Sequence, residues 1–340
     1  MKKNLLIIII LLLTVSLCAQ TDNRLIEQRS LYYNELIKFY LNLQEYSLVT
    51  SIIDTMEIHR LYADSVAYYQ SRAYMGQQNW SEAIRATYPI LIEQQNEELI
   101  NWSMDMIKST IFEVQPHLAI ELLSYLIDKI ENDSIVIELL LIIAEVYEQN
   151  QLYNEANDVY QTILKEPSFD DTTTINLKYA TNSIYINQYE VAIRVLEPIV
   201  EEYDPEYIQE ALYLLYLGYY SQQLYEKAQN VLIHMYLNYP EHENKYEITK
   251  KLASLYEDQK EYIVSWYLLE ELIRQSTPAQ RYEIFQQIES LKERIVSESV
   301  GTNQFRRMKL ILQDPYAHLI SPEEPEENEI DQSEIEQQKR

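Results

Sequence analysis

Small and apolar residues recur along this chain at fixed offsets, and the whole set of offsets repeats about every 36 residues. The marker is a small residue at Val49, Ala83, Ala119, Ala156, Ala192, Ala228 and Ser265, with successive separations of 34, 36, 37, 36, 36 and 37. Four places later come Ile53, Thr87, Leu123, Tyr160, Leu196, Leu232 and Leu269. Seven places later come Met56, Ile90, Leu126, Ile163, Ile199, Met235 and Leu272. Steps of four and seven keep side chains on one face of a helix. A second set precedes the marker. Twelve places before it stand Ile37, Ser71, Ile107, Ala144, Ala180, Tyr216 and Ala253, and nine places before it Tyr40, Tyr74, Thr110, Tyr147, Ser183, Tyr219 and Tyr256. The pattern predicts a first helix with a narrow contact face, a short turn, and a second helix. The small marker lets the two approach closely. Pro89 and Pro198 both fall six places after their markers, inside second helices. A proline there removes one hydrogen bond, and the shared register predicts a tolerated kink on an outer face.

Self-similarity at this period is the signature of a repeat array, and the residues resemble the tetratricopeptide repeat family. One unit carries Ala144 as the family's small residue, Tyr147 as its tyrosine, Tyr153 and Ala156 as its turn, Tyr160 as its second-helix aromatic and Pro167 as its closing proline. The stretch Tyr239, Pro240, Glu241, His242 resembles the repeat endings of periplasmic outer-membrane assembly proteins. The family's early tryptophan and most of its glycines are absent. The resemblance covers about residues 25–275. It implies an all-α, right-handed helix-turn-helix solenoid of about seven repeats. Residues 279–296 then read as a further amphipathic helix that caps the last apolar face.

Composition agrees with an all-α reading. There are only three glycines, Gly76, Gly218 and Gly301, too few for the tight turns of sheet-rich folds or for phosphate-cradling loops. Tyrosine outnumbers phenylalanine 31 to 5. A tyrosine buries its ring and leaves its hydroxyl at water, which suits a thin structure. The formal net charge of −27 opposes nucleic acid and anionic lipid as partners.

The N-terminus reads as an export signal over residues 1–19. Lys2 and Lys3 precede an unbroken apolar run from Leu5 to Leu13, and small or polar residues follow around Ser16, Cys18 and Ala19. The run falls short of the ~20 apolar residues that span a bilayer. Two processing routes fit: cleavage after Ala19, leaving Gln20 first, or lipidation of Cys18, the only cysteine. With ordinary cleavage, packing alone stabilises the mature chain. A short lysine-bearing leader implies a bacterial protein of the periplasm or the periplasmic face of the outer membrane, with release outside as the alternative. The mature chain divides into an array over 20–300, a short basic segment over 301–320 (Arg306, Arg307, Lys309) and an acidic tail over 321–340, too polar to fold alone.

No catalytic constellation is visible. His59, His117, His234, His242 and His318 lack metal-ligand spacing, and no nucleophile motif or phosphate loop occurs. No cofactor and no metal are expected, and the chain reads as a non-enzyme. In the resembled family, positions about 8, 11 and 15 places before the marker line a groove. At the second of these the first three repeats carry Lys38, Arg72 and Lys108, a basic register that would suit an acidic segment of a partner protein. Three solvated surface charges would look the same. Tyr68, Tyr185, Tyr213 and Tyr220 fall on the same side, either as a binding stripe or as packing between helices. Two functions follow by analogy: a protein-interaction scaffold in a cell-envelope or secretion assembly, or a receptor whose tyrosine-lined groove takes a soluble glycan or peptide.

The leader reading has a direct check. The intact mass of the exported form should match a chain beginning at Gln20, cyclised or not. A lipid-modified Cys18 in the membrane fraction would overturn that and tether the protein.

Overall fold

The computed structural model describes residue 29 and residues 31–58 and 63–297. The export signal with Cys18, the basic segment, the acidic tail, His59 and His318 lie outside the described residues. Every regular element among the described residues is a helix. In chain order they are α1 (31–42), α2 (Tyr46–Ile58), α3 (Ala63–Gly76), α4 (Trp80–Ala86), α5 (Tyr88–Glu93), α6 (Glu97–Thr110), α7 (Pro116–Ile127), α8 (Asp133–Gln149) and α9 (Tyr153–Ile163). They continue with α10 (Thr172–Tyr185), α11 (Tyr189–Glu202), α12 (Ile208–Ser221), α13 (Tyr225–Asn238), α14 (Lys245–Asp258), α15 (Tyr262–Gln275) and α16 (Pro278–Ser297). The chain forms two compact units that divide between Phe169 and Asp170. Each unit is a stack of helix pairs, and α16 closes the second by burying Ile284, Ile288 and Leu291.

All seven marker residues, Val49, Ala83, Ala119, Ala156, Ala192, Ala228 and Ser265, have 0% of their surface exposed. The residues twelve places before them are buried too, from Ile37, Ser71 and Ile107 to Ala253. So are those four places after, including Tyr160, whose hydroxyl donates to Glu148 Oε1 at 2.8 Å. Buried residues at these registers form the core of each pair.

One turn geometry joins six of the seven pairs. Gln44, Gln78, Gln151, Asn187, Gln223 and Lys260, each five places before its marker, hold φ between 59° and 63°. In the fourth pair the Gln151 N–H donates to Glu148 O and the Leu152 N–H to Tyr147 O, both at 2.9 Å. The same two bonds recur at Gln78 and Asn79, at Gln223 and Leu224, and at Lys260 and Glu261. This is the Schellman arrangement, which satisfies the last carbonyls of the first helix. The Ala156 N–H then donates to Leu152 O at 3.0 Å and starts the second helix. Glycine is the usual residue at the left-handed position, because a Cβ there costs about 1–2 kcal/mol. This chain places long polar side chains there instead, which is where the missing glycines of the repeat went. The third pair turns differently. Ile111–Glu113 forms a 3-10 turn, Val114 and Gln115 are extended ahead of Pro116, and no left-handed residue is needed.

The two prolines behave differently, against the common kink expected of them. Pro198 sits on the exposed side of one continuous helix, α11. At Pro89 the second helix of its pair is broken into α4 and α5. The reason lies two residues earlier. Thr87 occupies the buried position that elsewhere holds Leu, Ile or Tyr, and its hydroxyl must be satisfied. It donates to Ile84 O at 2.7 Å, and the Thr87 N–H also turns to Ile84 O at 3.0 Å. That tightening, with the bond lost at Pro89, ends the helix.

Substitutions at two positions test this construction by urea denaturation. Ala156→Leu overpacks the point where the helices of a pair touch and should destabilise by about 1–3 kcal/mol at unchanged m. An unchanged midpoint would mean that the marker is not the contact. Gln151→Gly relieves the left-handed backbone and should stabilise by about 0.5–1 kcal/mol, whereas Gln151→Val should destabilise. The opposite order would remove the turn from the account.

Candidate functional site

The first helix of each pair spends one face on its own partner. At positions 8, 11 and 15 before the marker the other side is open in some pairs and closed in others, where Leu41, Met104, Ile111 and Leu177 are buried. In the second unit α12 carries Tyr213, Leu217 and Tyr220 there, all half-buried. Tyr216, buried beneath them, lies 6.0 Å from Tyr213 and 5.9 Å from Tyr220 between ring centroids. The row is extended at both ends. The His242 ring stands 5.9 Å from Tyr213, and Lys251 Nζ of α14 lies 5.0 Å from the centroid of Tyr220. Burial raises the pKa values of Tyr213 and Tyr216, with nearby Glu247 adding to the effect in both. Both hydroxyls therefore stay protonated at neutral pH and can donate. Burial lowers the pKa of His242, opposed by Glu243, which favours the neutral ring. Its Nδ1 accepts from the Asn244 N–H at 3.0 Å, which holds the ring against Tyr213.

Next to this row is a cavity of about 230 Å³ between α14, α15 and α16. Lys250, Lys251, Ser254 and Glu257 line it from α14, Ser265 from α15 and Gln287 from α16. Lys250 pairs with Glu283 at 2.9 Å and Arg294 with Glu257 at 2.9 Å. Lys251 belongs to both the cavity and the tyrosine row.

The first unit arranges its face differently. Tyr68 of α3 meets Trp102 of α6 edge to face, with 4.6 Å between centroids. Arg72 lies 5.7 Å from the Tyr68 centroid and donates to its hydroxyl at 3.3 Å. Lys38, Arg72 and Lys108 are all exposed at the expected register of α1, α3 and α6. Lys38 pairs with Glu35 at 2.8 Å, and that hydrogen bond raises its pKa. Lys108 pairs with Glu138 of α8. Two of the three cations are thus already engaged by carboxylates of the same chain. Of the four tyrosines singled out in the sequence, the structure brings Tyr213 and Tyr220 into one row. Tyr68 lies in the first unit, and Tyr185 is exposed at the end of α10.

Several site residues were not legible from spacing. Lys251, Gln287 and the role of His242 depend on neighbours about 30 residues away or more. Trp102 gave no signal because nothing in the repeat pattern required it. Ser265 did give one, as the only hydroxyl among the markers. No group of three His, Cys, Asp or Glu side chains converges as a metal site among the described residues. No helix among them is long and apolar enough to cross a membrane.

No protein-family model matches the chain, and no curated protein matches it. Among solved structures, a tetratricopeptide repeat protein from Parabacteroides merdae is 16% identical, with a TM-score of 0.41 over 73% of this chain and 98% of that one. The apo form of RapI is 16% identical, with a TM-score of 0.45 over 86% and 84% of the two chains. The apo form of the quorum sensor NprR from B. thuringiensis is 15% identical, with a TM-score of 0.29 over 77% and 87%. None superposes closely enough to lend its ligand or role to this chain. The chain's own geometry is that of a tetratricopeptide-like helix-pair repeat, with a small residue buried at one register of every pair.

Proposed function

We propose that this chain is a non-catalytic binding protein that holds an extended peptide segment on the first-helix face of its second unit. The observation that carries the reading is the row Tyr213, Tyr216, Tyr220, flanked by His242 and Lys251 and open beside a cavity. Half-buried tyrosines offer a peptide apolar ring surface and a hydroxyl donor together, at low cost in side-chain entropy. The sequence left two readings open, an envelope scaffold and a receptor with a tyrosine-lined groove. The second is favoured here, because the tyrosines converge while Lys38 and Lys108 are closed by Glu35 and Glu138. Export to a bacterial envelope compartment belongs to the same proposal and is supported by the leader-like residues 1–19.

The test is retention of synthetic random nonapeptides on the mature chain, with recovered peptides identified by mass spectrometry and titrated singly. Combining Tyr213→Ala with Tyr220→Ala should weaken recovered peptides by about tenfold or more, since central aromatic anchors dominate such interfaces. Reversing Lys38, Arg72 and Lys108 to Glu should leave them bound. Peptides that bind the tyrosine variant as tightly as the parent overturn the reading. Loss of binding only in the triple reversal moves the site to the first unit.

A further inference from the structure

Six of the seven markers are Val or Ala, and the seventh, Ser265, brings a hydroxyl to a position with 0% exposure. Its Oγ has no hydrogen-bond partner among the described residues. An alanine would fill the same position without that cost, as it does in five other pairs. Buried hydroxyls are almost always paired, and one left unpaired calls for an explanation. Ser71 and Ser183, serines buried at other contact registers, are satisfied: they donate to Ala83 O and Tyr179 O, both at 2.8 Å. Ser265 differs in lining a cavity.

The cavity's charges limit what can enter. Lys250 is closed by Glu283 and Glu257 by Arg294, so neither is free to receive an ion. Glu247 and Lys251 also line it, with opposite signs. An entering anion meets the acidic side chains and an entering cation the lysines, while a neutral dipolar group meets neither penalty. The uncharged groups left to bind it are the hydroxyls of Ser254 and Ser265 and the amide of Gln287, each able to donate and accept. A primary carboxamide also does both from one planar group. A volume of about 230 Å³ leaves room for a side chain of glutamine size.

We propose that this cavity is a side-chain pocket for a primary carboxamide, taking an asparagine or glutamine of the bound peptide, with Ser265 and Gln287 as its hydrogen-bonding partners. The proposal rests on the peptide reading above and gives it a specificity. Lys251 connects the two, since it borders the pocket and caps the Tyr220 ring.

The pocket can be tested apart from the peptide. N-acetyl-L-glutamine methylamide is titrated into the full chain carrying 15N-labelled glutamine, following the side-chain amide of Gln287. The matching derivatives of glutamate, lysine and norleucine serve as controls. The glutamine derivative should bind about tenfold more tightly than any control, a difference of about 1.4 kcal/mol. Ser265→Ala should bring it to the level of the controls without lowering the melting temperature. Equal binding of norleucine, no shift of Gln287, or an unchanged preference in Ser265→Ala overturns the proposal. Free L-glutamine binding more tightly than its capped derivative overturns the peptide source. Should this titration fail while nonapeptides still bind, only the pocket is lost. Should it succeed while nonapeptides ignore Tyr213 and Tyr220, the pocket stands and the peptide reading falls.

Discussion

Each helix pair depends on one close approach, made where a residue no larger than valine sits between two helices and admits no solvent. Helices packed at such a contact stand about 8–10 Å apart, and side-chain size at the crossing sets the distance. The turn must deliver the second helix to that point within four residues. It does so in six pairs with a left-handed residue whose neighbours satisfy the carbonyls of the helix just ended. Side chains other than glycine hold that strained position throughout, so packing at the marker over-determines the backbone there. Where the turn is built otherwise, as ahead of Pro116, the marker is still buried. The contact persists while the turn varies.

A repeat of this kind is only two helices thick, so much of its surface lies near water. This explains the abundance of tyrosine. At Tyr160 the ring is wholly buried and the hydroxyl reaches Glu148, while Tyr213 and Tyr220 are half-buried. Where the outer side of a first helix is only partly buried, as at Tyr213, Leu217 and Tyr220, the core it packs against holds it in place, which is where a binding surface is best positioned.

Charge works differently from what the net value of −27 suggests. Cations are scarce, and several join neighbouring helices of one unit: Lys108 with Glu138, Lys227 with Glu197, Lys250 with Glu283 and Arg294 with Glu257. Exposed pairs of this kind contribute about 0–1 kcal/mol each. Their main effect here is on recognition, because a paired lysine is a poor receptor for an incoming carboxylate. Lys251 is placed over a tyrosine ring instead and so borders the uncharged part of the face.

The repeat was legible because its physics is local and periodic. Offsets of four, seven, nine and twelve residues follow from helix geometry, and Ala156, Tyr160 and Ile163 are buried where that geometry puts them. The capping helix was legible for the same reason, as an amphipathic stretch following the last pair. The break at Pro89 and the intact helix at Pro198 were not. Both prolines share a register, and the difference came from a buried threonine hydroxyl that had to find an acceptor. The proposed binding face was half legible: Tyr213 and Tyr220 follow from register, but their connection to His242 and Lys251 joins separate helices. The cavity lay beyond the sequence altogether. It exists because α14, α15 and α16 leave a gap around Ser265 and because Glu283 and Arg294 occupy its charges, and only the packed fold sets those distances.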